Sequence, residues 1–261
     1  MKLETKTIRL SQGEVRYHTA GDGPPLLYLH PAAGFRLSGP IERLANRFRL
    51  IAPIVPGFDG TERLPGLDTI PGIANLYAEL IAELADGACD VVGQSLGAWI
   101  GAWLAIDHPE TVEPLVLASP AGFRPPDAPP LSFEPEVMLK QLYAYPDKRP
   151  PETKSAEQLA GNRDAVKHYR IGAAWDGELN RRIGEIRCLT LIVHGTKDVR
   201  VPVEAVRKLR HDIPHAHLVF VYDAAHSIEI DQPERVGALY EDFLLRGEAF
   251  IVNPGSGTEA S

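Results

Sequence analysis

The stretch that decides the fold is Asp90-Val91-Val92-Gly93-Gln94-Ser95-Leu96-Gly97-Ala98-Trp99, where an apolar strand runs directly into a helical pattern with a serine at the turn. So tight a turn puts Ser95 in a strained backbone conformation. Side chains two positions before and after the serine would collide with the turn unless they were very small, and Gly93 and Gly97 meet that demand. This geometry predicts that the Ser95 hydroxyl lies clear of the sheet edge, with the N–H of Leu96 aimed at the group that it attacks.

In the strand–turn–helix architecture of which this turn is typical, an acid and then a histidine follow the serine later in the chain. Asp198 follows the apolar run 188–195, which is typical of a buried parallel strand. Capping of the next predicted helix is the alternative role for Asp198, and its distance from that helix disfavours capping. His226 follows the last predicted strand. We expect His226 to take the Ser95 proton, and Asp198 to fix the tautomer of the His226 ring.

With these residues in this order, the chain resembles the α/β-hydrolase superfamily, in the branch with a helical cap after the sixth strand. The resemblance implies an α/β fold with a mostly parallel eight-stranded sheet flanked by helices. A proline-rich stretch at 119–130 marks a boundary, and helical patterns follow near 137–143 and 165–175. We expect a core domain of residues 1–122 and 184–250, a small helical cap at 123–183 and a flexible tail at 251–261.

The resemblance also implies a second oxyanion donor from the loop His30-Pro31-Ala32-Ala33-Gly34, which follows the strand 25–29. Ala32 is the first choice and Ala33 the second, because Pro31 has no N–H. The segment Pro56-Gly57-Phe58-Asp59-Gly60-Thr61 is similar to the family's Pro-Gly-Phe-Gly-x-Ser loop, with Asp59 and Thr61 as departures. We interpret it as a structural turn.

The substrate pocket is expected between the serine loop and the cap, which is where lids exclude water and shape specificity. Aromatic and aliphatic residues of the cap and residues flanking the catalytic loops are the candidates. The predicted pocket residues are His30, Gln94, Phe123, Met138, Leu142, Tyr143, Trp175 and Val199. Trp99 and Trp103 are instead interpreted as core residues of the helix behind the nucleophile.

Composition agrees with a compact enzyme: 261 residues, 44% apolar, with a formal net charge of −8. An acidic chain without a Lys/Arg cluster argues against nucleic acid and anionic membranes as partners. The N-terminus lacks an apolar leader and no run of residues is long enough to span a membrane, so we expect a cytoplasmic protein. We also expect a small-molecule acyl substrate as its partner, and a monomer or a homodimer. The sequence has no phosphate loop, dinucleotide fingerprint or metal-ligand spacing, which predicts no cofactor and no metal.

These features predict a cofactor-independent serine hydrolase of a small or medium acyl substrate, with a carboxylic ester favoured. Haloalkane dehalogenases and epoxide hydrolases resemble this fold but need an aspartate nucleophile, so Ser95 argues against both. The alternatives are carbon-carbon bond hydrolysis of a vinylogous diketone, as in meta-cleavage products, a hydroxynitrile lyase and a non-catalytic member of the fold.

Overall fold

The computed structural model describes residues 2–132, 134–173 and 175–251. The strands in these ranges are β1 (Glu4–Leu10), β2 (Gly13–Ala20), β3 (Pro25–Leu29), β4 (Arg49–Pro53), β5 (Cys89–Gln94), β6 (Val112–Ala118), β7 (Thr190–Gly195) and β8 (Ala216–Val221). The α-helices are α1 (Gly39–Leu44), α2 (Ile70–Leu84), α3 (Leu96–Asp107), α4 (Pro135–Leu142), α5 (Ala156–His168), α6 (Gly177–Arg182), α7 (Val203–Asp212), α8 (Ile228–Asp231) and α9 (Pro233–Arg246).

The strands form one sheet in the order β1-β2-β4-β3-β5-β6-β7-β8. It is parallel from β4 to β8, and β2 pairs antiparallel with both β1 and β4. The central strands are continuous apolar runs because helices cover both of their faces. The predicted fold class, a mostly parallel eight-stranded sheet with flanking helices, is confirmed. Since parallel strands end at one edge, the loops after β3, β5, β7 and β8 converge there.

Helix α3, which follows Ser95, is buried from Leu96 to Ile106. Its tryptophans, Trp99 and Trp103, are 5% and 3% exposed, which confirms their interpretation as core residues. Both indole N–H groups donate to Oδ2 of Asp176, each at 2.8 Å. The other carboxylate oxygen of Asp176 accepts from Leu179 N and caps α6. Asp176 therefore connects α3 to the segment inserted between β6 and β7.

Helices α4, α5 and α6 lie in this insertion, within the range 123–183. The pattern at 137–143 corresponds to α4, but the helix expected at 165–175 is wrong, because α5 begins at Ala156 and ends at His168. Helix α5 has little apolar periodicity, so the pattern misplaced it. Its start carries a different signal, a capping box in which the Ser155 hydroxyl accepts from Gln158 N and the Gln158 side chain accepts from Ser155 N.

Across the described ranges we find no helix that combines the length and the apolarity needed to span a bilayer. The predicted tail, apart from its first residue, lies outside the described residues.

Candidate active site

Ser95 occupies the turn between β5 and α3 with φ 53° and ψ −107°, a left-handed conformation that a residue with a side chain rarely adopts. Such a conformation costs about 1–3 kcal/mol, so the surrounding packing must hold it. A Cβ on Gly93 would lie 2.4 Å from the Gly97 carbonyl carbon, and a Cβ on Gly97 would lie 1.8 Å from the Leu29 oxygen. Both glycines are therefore sterically required, and the start of α3 lies directly against the end of β3.

The structure brings Ser95, His226 and Asp198 into one hydrogen-bonded chain. Nε2 of His226 lies 2.9 Å from Oγ of Ser95, and Nδ1 lies 2.9 Å from Oδ2 of Asp198. An ionised carboxylate can only accept, so Nδ1 carries the proton and Nε2 accepts from the serine hydroxyl. All three residues are buried. This protonation pattern is the one in which His226 can remove the Ser95 proton.

Asp198 is held by its own loop. Its Oδ1 accepts from Arg200 N at 2.7 Å and from Val201 N at 3.1 Å. Burial acts to raise the pKa of the Asp198 carboxyl, but the adjoining His226 ring and these hydrogen bonds outweigh burial, and the pKa is lowered. Helix α7 is capped by Pro202 rather than by Asp198. The carboxylate is thus ionised and aimed at the histidine, not at a helix end.

The His226 loop is fixed from both sides. The Gln94 side chain donates to the His226 carbonyl at 3.4 Å, and Oδ2 of Asp231 accepts from Ala225 N at 2.8 Å. The same Asp231 oxygen accepts from Ala144 N of the insertion at 2.9 Å. Sequence reasoning missed Asp231, because its partners are backbone groups of two other segments and leave no pattern in the sequence.

A second histidine lies behind the acid. His194 is buried at the end of β7, and its Nδ1 is 3.9 Å from Oδ2 of Asp198, beyond hydrogen-bond distance. Burial lowers the pKa of His194, and the Asp198 charge only partly opposes that effect. Sequence reasoning also missed this residue. His194 is therefore mainly uncharged near neutral pH and adds little positive charge beside Asp198.

The loop after β3 is held by His30. Val55 N donates to Nε2 of His30 at 3.0 Å, so Nδ1 carries the proton and donates to the Pro31 carbonyl at 2.8 Å. Gly34 N donates to the same carbonyl at 2.9 Å. In a trans peptide the N–H points opposite to the C=O, so the Ala32 N–H is directed away from these two donors. The Ala32 N–H thus lies on the opposite side of the peptide from these donors, and its role as an oxyanion donor stays a prediction.

The predicted pocket residues have different positions in the structure. His30 is corrected, since both of its ring nitrogens bind backbone groups beneath the loop and neither is available to a substrate. Val199 is 55% exposed, and its place in the substrate pocket stays a prediction. Met138, Leu142 and Tyr143 are half-buried in and after α4, and the Leu142 carbonyl accepts from Ser227 N beside the catalytic histidine.

Phe123 and Trp175 are paired through an isolated backbone bridge. Together with residues of α7 they line a cleft of about 180 Å³, and no triad residue lines that cleft. Phe123 is buried, and Trp175 is 37% exposed. Their assignment to the substrate pocket is therefore corrected: both residues line a cleft beside α7 that contains no triad residue. Apolar character alone did not distinguish the two surfaces of the insertion.

A buried carboxyl lies three residues after His226, on α8. Oε2 of Glu229 accepts from Ser38 Oγ at 2.7 Å and from Tyr28 Oη at 3.0 Å, and Oε1 accepts from Tyr240 Oη at 3.5 Å. Burial raises the pKa of Glu229 to about 7, although the three hydroxyl donors act to lower it. These hydrogen bonds join α8 to β3, to the residue before α1 and to α9. The protonation state of Glu229 should therefore affect the stability of the fold.

Glu229→Gln is expected to change how stability depends on pH. The folded-state pKa of about 7 exceeds the ordinary value of 4.5, so the folded protein binds the proton more tightly and stability falls as pH rises from 4.5 to 7. The shift corresponds to about 3 kcal/mol, and Gln, which does not ionise, removes this dependence. Urea unfolding of both proteins at pH 5 and pH 8 measures it. Equal slopes against pH in the two proteins would contradict the assignment.

Among the described residues, no group of three or more His, Cys, Asp or Glu side chains is arranged to hold a metal ion. The chemistry that the site itself supports is nucleophilic attack by a serine, with a histidine as base and backbone amides near the attacked carbon.

The sequence and the fold were compared with those of known proteins. Residues 23–239 match the alpha/beta hydrolase family. The chain is 26% identical to a 2-hydroxy-6-oxo-6-phenylhexa-2,4-dienoate hydrolase of Burkholderia cepacia, over 91% of this chain and 93% of that protein. It is 27% identical to haloalkane dehalogenase 2 of Mycobacterium tuberculosis, over 90% and 93% of the two chains. The structure of a thermophilic esterase from Thermogutta terrifontis superposes with a TM-score of 0.75 at 23% identity, covering 94% of this chain and 98% of that one.

Proposed function

Because the chain belongs to the alpha/beta hydrolase family, we propose that it is a serine hydrolase that forms a covalent acyl-enzyme, with carboxylic esters of small or medium acyl groups as favoured substrates. The observation that carries the proposal is the unbroken chain of 2.9 Å hydrogen bonds from Ser95 through His226 to Asp198. A serine activated in this way attacks a carbonyl carbon, and esters are the common substrates that present such a carbon with an alcohol as leaving group.

The steps follow from the geometry. The Ser95 oxygen attacks the ester carbonyl while Nε2 of His226 takes its proton, and the N–H groups of Leu96 and Ala32 bind the negative oxygen that forms. The imidazolium, stabilised by Asp198, then gives its proton to the departing alcohol. Water enters, loses a proton to His226 and attacks the acyl-enzyme, which releases the acid and restores the Ser95 hydroxyl.

The residue at the turn separates this chemistry from that of one relative. A dehalogenase displaces halide from a saturated carbon, and a carboxylate nucleophile suits that reaction. This chain has a serine at the turn, and backbone amides adjoin it where negative charge develops on a carbonyl oxygen. These features favour an acyl substrate, despite an identity of 27% to haloalkane dehalogenase 2.

Hydrolysis of p-nitrophenyl esters from acetate to decanoate tests the proposal. We expect saturable release of p-nitrophenol, with an optimum of kcat/KM at one chain length that reports the size of the pocket. Labelling with a fluorophosphonate, which reacts with activated serines, is run in parallel. If the protein is labelled but does not hydrolyse any of these esters, the serine is activated and the substrate pocket does not accept simple esters. The absence of both would contradict the proposal and favour a non-catalytic member of the fold.

A second candidate function is hydrolysis of a carbon-carbon bond in a substrate that carries a carboxylate. The relative from Burkholderia cepacia is named for a dienoate, which has such a group. Here Arg200 is half-buried, two residues after Asp198, and its Nη1 lies 3.4 Å from Oε1 of Gln141 on α4. Burial lowers the pKa of Arg200. In the alternative orientation the Gln141 amide pairs with Ser132, which releases the guanidinium for an anion.

Arg200→Gln separates the two candidates. If Arg200 binds a substrate carboxylate, KM for 2-hydroxy-6-oxo-6-phenylhexa-2,4-dienoate should rise more than about 10-fold in the variant, since a charge-assisted hydrogen bond is worth more than about 1.4 kcal/mol. Turnover of a neutral p-nitrophenyl ester should change less than about 3-fold. No turnover of the dienoate by the wild type, or an equal loss on both substrates, would count against the carboxylate role.

A further inference from the structure

We propose that Asn162 of the insertion and Asp59 are positioning residues of the oxyanion hole, which hold the loop that contains Ala32 in its active conformation. The inference rests on the proposed serine hydrolase function. Residues 56–61, which include Asp59, were predicted to form a structural turn only. The contacts of Asp59 extend to two further segments, the loop after β3 and helix α5.

Asp59 binds the oxyanion loop directly. Its Oδ2 accepts from Phe35 N at 2.7 Å. The carboxylate also lies so close to Gly34 that a Cβ there would be 2.1 Å from Oδ1 of Asp59. Asp59 has φ 50°, the left-handed conformation in which the family's loop usually has glycine, so the chain accepts strain at this position. The strained residue presents a carboxylate to the end of the loop that begins with His30 and Pro31.

Asn162 joins both segments to α5. Its Nδ2 donates to the Ala33 carbonyl at 3.1 Å and to Oδ1 of Asp59 at 3.0 Å, and its Oδ1 accepts from Asp59 N at 2.7 Å. The residue is 4% exposed, so these bonds form out of contact with water. Three hydrogen bonds therefore determine the orientation of a single amide. Through them, Asn162 fixes the carbonyl of the residue that directly follows Ala32.

A cation completes the cluster. Nζ of Lys154 donates to the Phe35 carbonyl at 2.6 Å and lies 3.5 Å from Oδ1 of Asp59. Both side chains are largely buried, at 11% and 12% exposed. The charge of Asp59 is thus balanced within the cluster. Lys154 and Asn162 both belong to the insertion, so the insertion adds two contacts to those that His30, Gly34 and Asp59 make with this loop.

The consequence for catalysis is specific. The Pro31–Ala32 peptide, which carries the Ala32 N–H, is fixed at the Pro31 carbonyl by His30 and Gly34, and the Ala33–Gly34 peptide is fixed at the Ala33 carbonyl by Asn162. Removal of the Asn162 amide frees the second of these constraints. A misplaced oxyanion donor weakens binding of the transition state more than binding of the ester, whose carbonyl oxygen carries less charge. The loss should therefore appear in the acylation rate and not in KM.

The test compares Asn162→Ala, Asp59→Gly and their combination with the wild type. Glycine suits the left-handed conformation at position 59, so Asp59→Gly removes the carboxylate without new strain. Active sites are counted by fluorophosphonate titration, and the acylation rate per active site is measured from the burst of p-nitrophenol. We expect each variant to acylate about 10- to 100-fold more slowly with KM within about 3-fold, and the double variant to match the slower single variant.

Asn180→Ala is the matched control. Asn180 is another asparagine of the insertion that donates to backbone carbonyls, those of Gly122 and Asp176, away from the oxyanion loop. Its acylation rate per active site should stay within about 2-fold of the wild type. A binding readout accompanies the kinetics: the affinity for a trifluoromethyl ketone, which forms an oxyanion on the serine, should fall in parallel with acylation in Asn162→Ala and Asp59→Gly.

The outcomes are distinct. If the wild type neither labels nor turns over, the proposed function fails, and this inference fails with it. If the wild type reacts and Asn162→Ala acylates at the wild-type rate per active site, or changes only in KM, the positioning role is overturned while the hydrolase remains. If Asn162→Ala does not fold, Asp59→Gly decides: normal acylation there overturns the role, and slowed acylation with unchanged KM supports it.

Discussion

Ser95→Ala is expected to reduce kcat for ester hydrolysis on the order of 10⁴- to 10⁶-fold, because loss of a triad nucleophile removes the acyl-enzyme route altogether. Folding should be retained. Alanine keeps the backbone torsions that Ser95 already adopts, and the elbow depends on Gly93 and Gly97 rather than on the hydroxyl. The measurement is turnover of the preferred p-nitrophenyl ester together with thermal unfolding of both proteins.

Ser119→Ala is the matched control for this change. Ser119 directly follows β6. It is fully buried and, like Ser95, has a positive φ, at 43°. Its hydroxyl has no hydrogen-bond partner among the described residues. The control should keep turnover within about 2-fold. Ester turnover that persists in Ser95→Ala at the wild-type rate would show that another group is the nucleophile.

Asp198→Asn is expected to lower kcat/KM by about 10⁴-fold with little change in the surrounding loop. The Asn carbonyl oxygen replaces Oδ1 and still accepts from Arg200 N and Val201 N. The NH₂ group then faces Nδ1 of His226 as a donor, so Nδ1 must lose its proton and Nε2 must carry one. A protonated Nε2 cannot accept the Ser95 proton, so the base is blocked while the geometry is kept.

Asp223→Asn is the control for the acid. Asp223 is an exposed carboxylate near the same loops that pairs with Lys197 at 2.9 Å and does not contact the histidine. Its exchange for Asn should leave kcat/KM within about 2-fold of the wild type. A loss in Asp198→Asn of less than about 10-fold would indicate that the carboxylate is not needed to orient His226.

The sheet and the triad were predictable because their signals are local and ordered. Buried parallel strands are continuous apolar runs, and the turn motif itself shows the two glycines, because a Cβ at Gly93 would clash with Gly97 and a Cβ at Gly97 would clash with the end of β3. Helix α5 was misplaced because a polar helix lacks the apolar periodicity on which the prediction depended. The capping box at Ser155 was a usable signal, and it marks the observed start of the helix.

The rest of the site depends on contacts between distant segments. Asp59 and Asn162 are 103 positions apart, and no spacing in the sequence relates them. The expectation that Trp175 and Phe123 line the pocket is wrong for a related reason. An apolar side chain in the insertion can pack against the core or face the substrate, and only the arrangement of α6 and α7 shows that these two adjoin α7.

If Ser95 is the activated nucleophile of a hydrolase, a reagent that is specific for activated serines should modify this residue and abolish turnover. The most direct measurement is mass spectrometry of the wild type after reaction with a fluorophosphonate, followed by peptide mapping and an assay of residual ester turnover. We expect one adduct per chain, located on Ser95, with turnover lost in proportion to labelling and no adduct in Ser95→Ala. An adduct on another residue, or full turnover after complete labelling of Ser95, would contradict the claim.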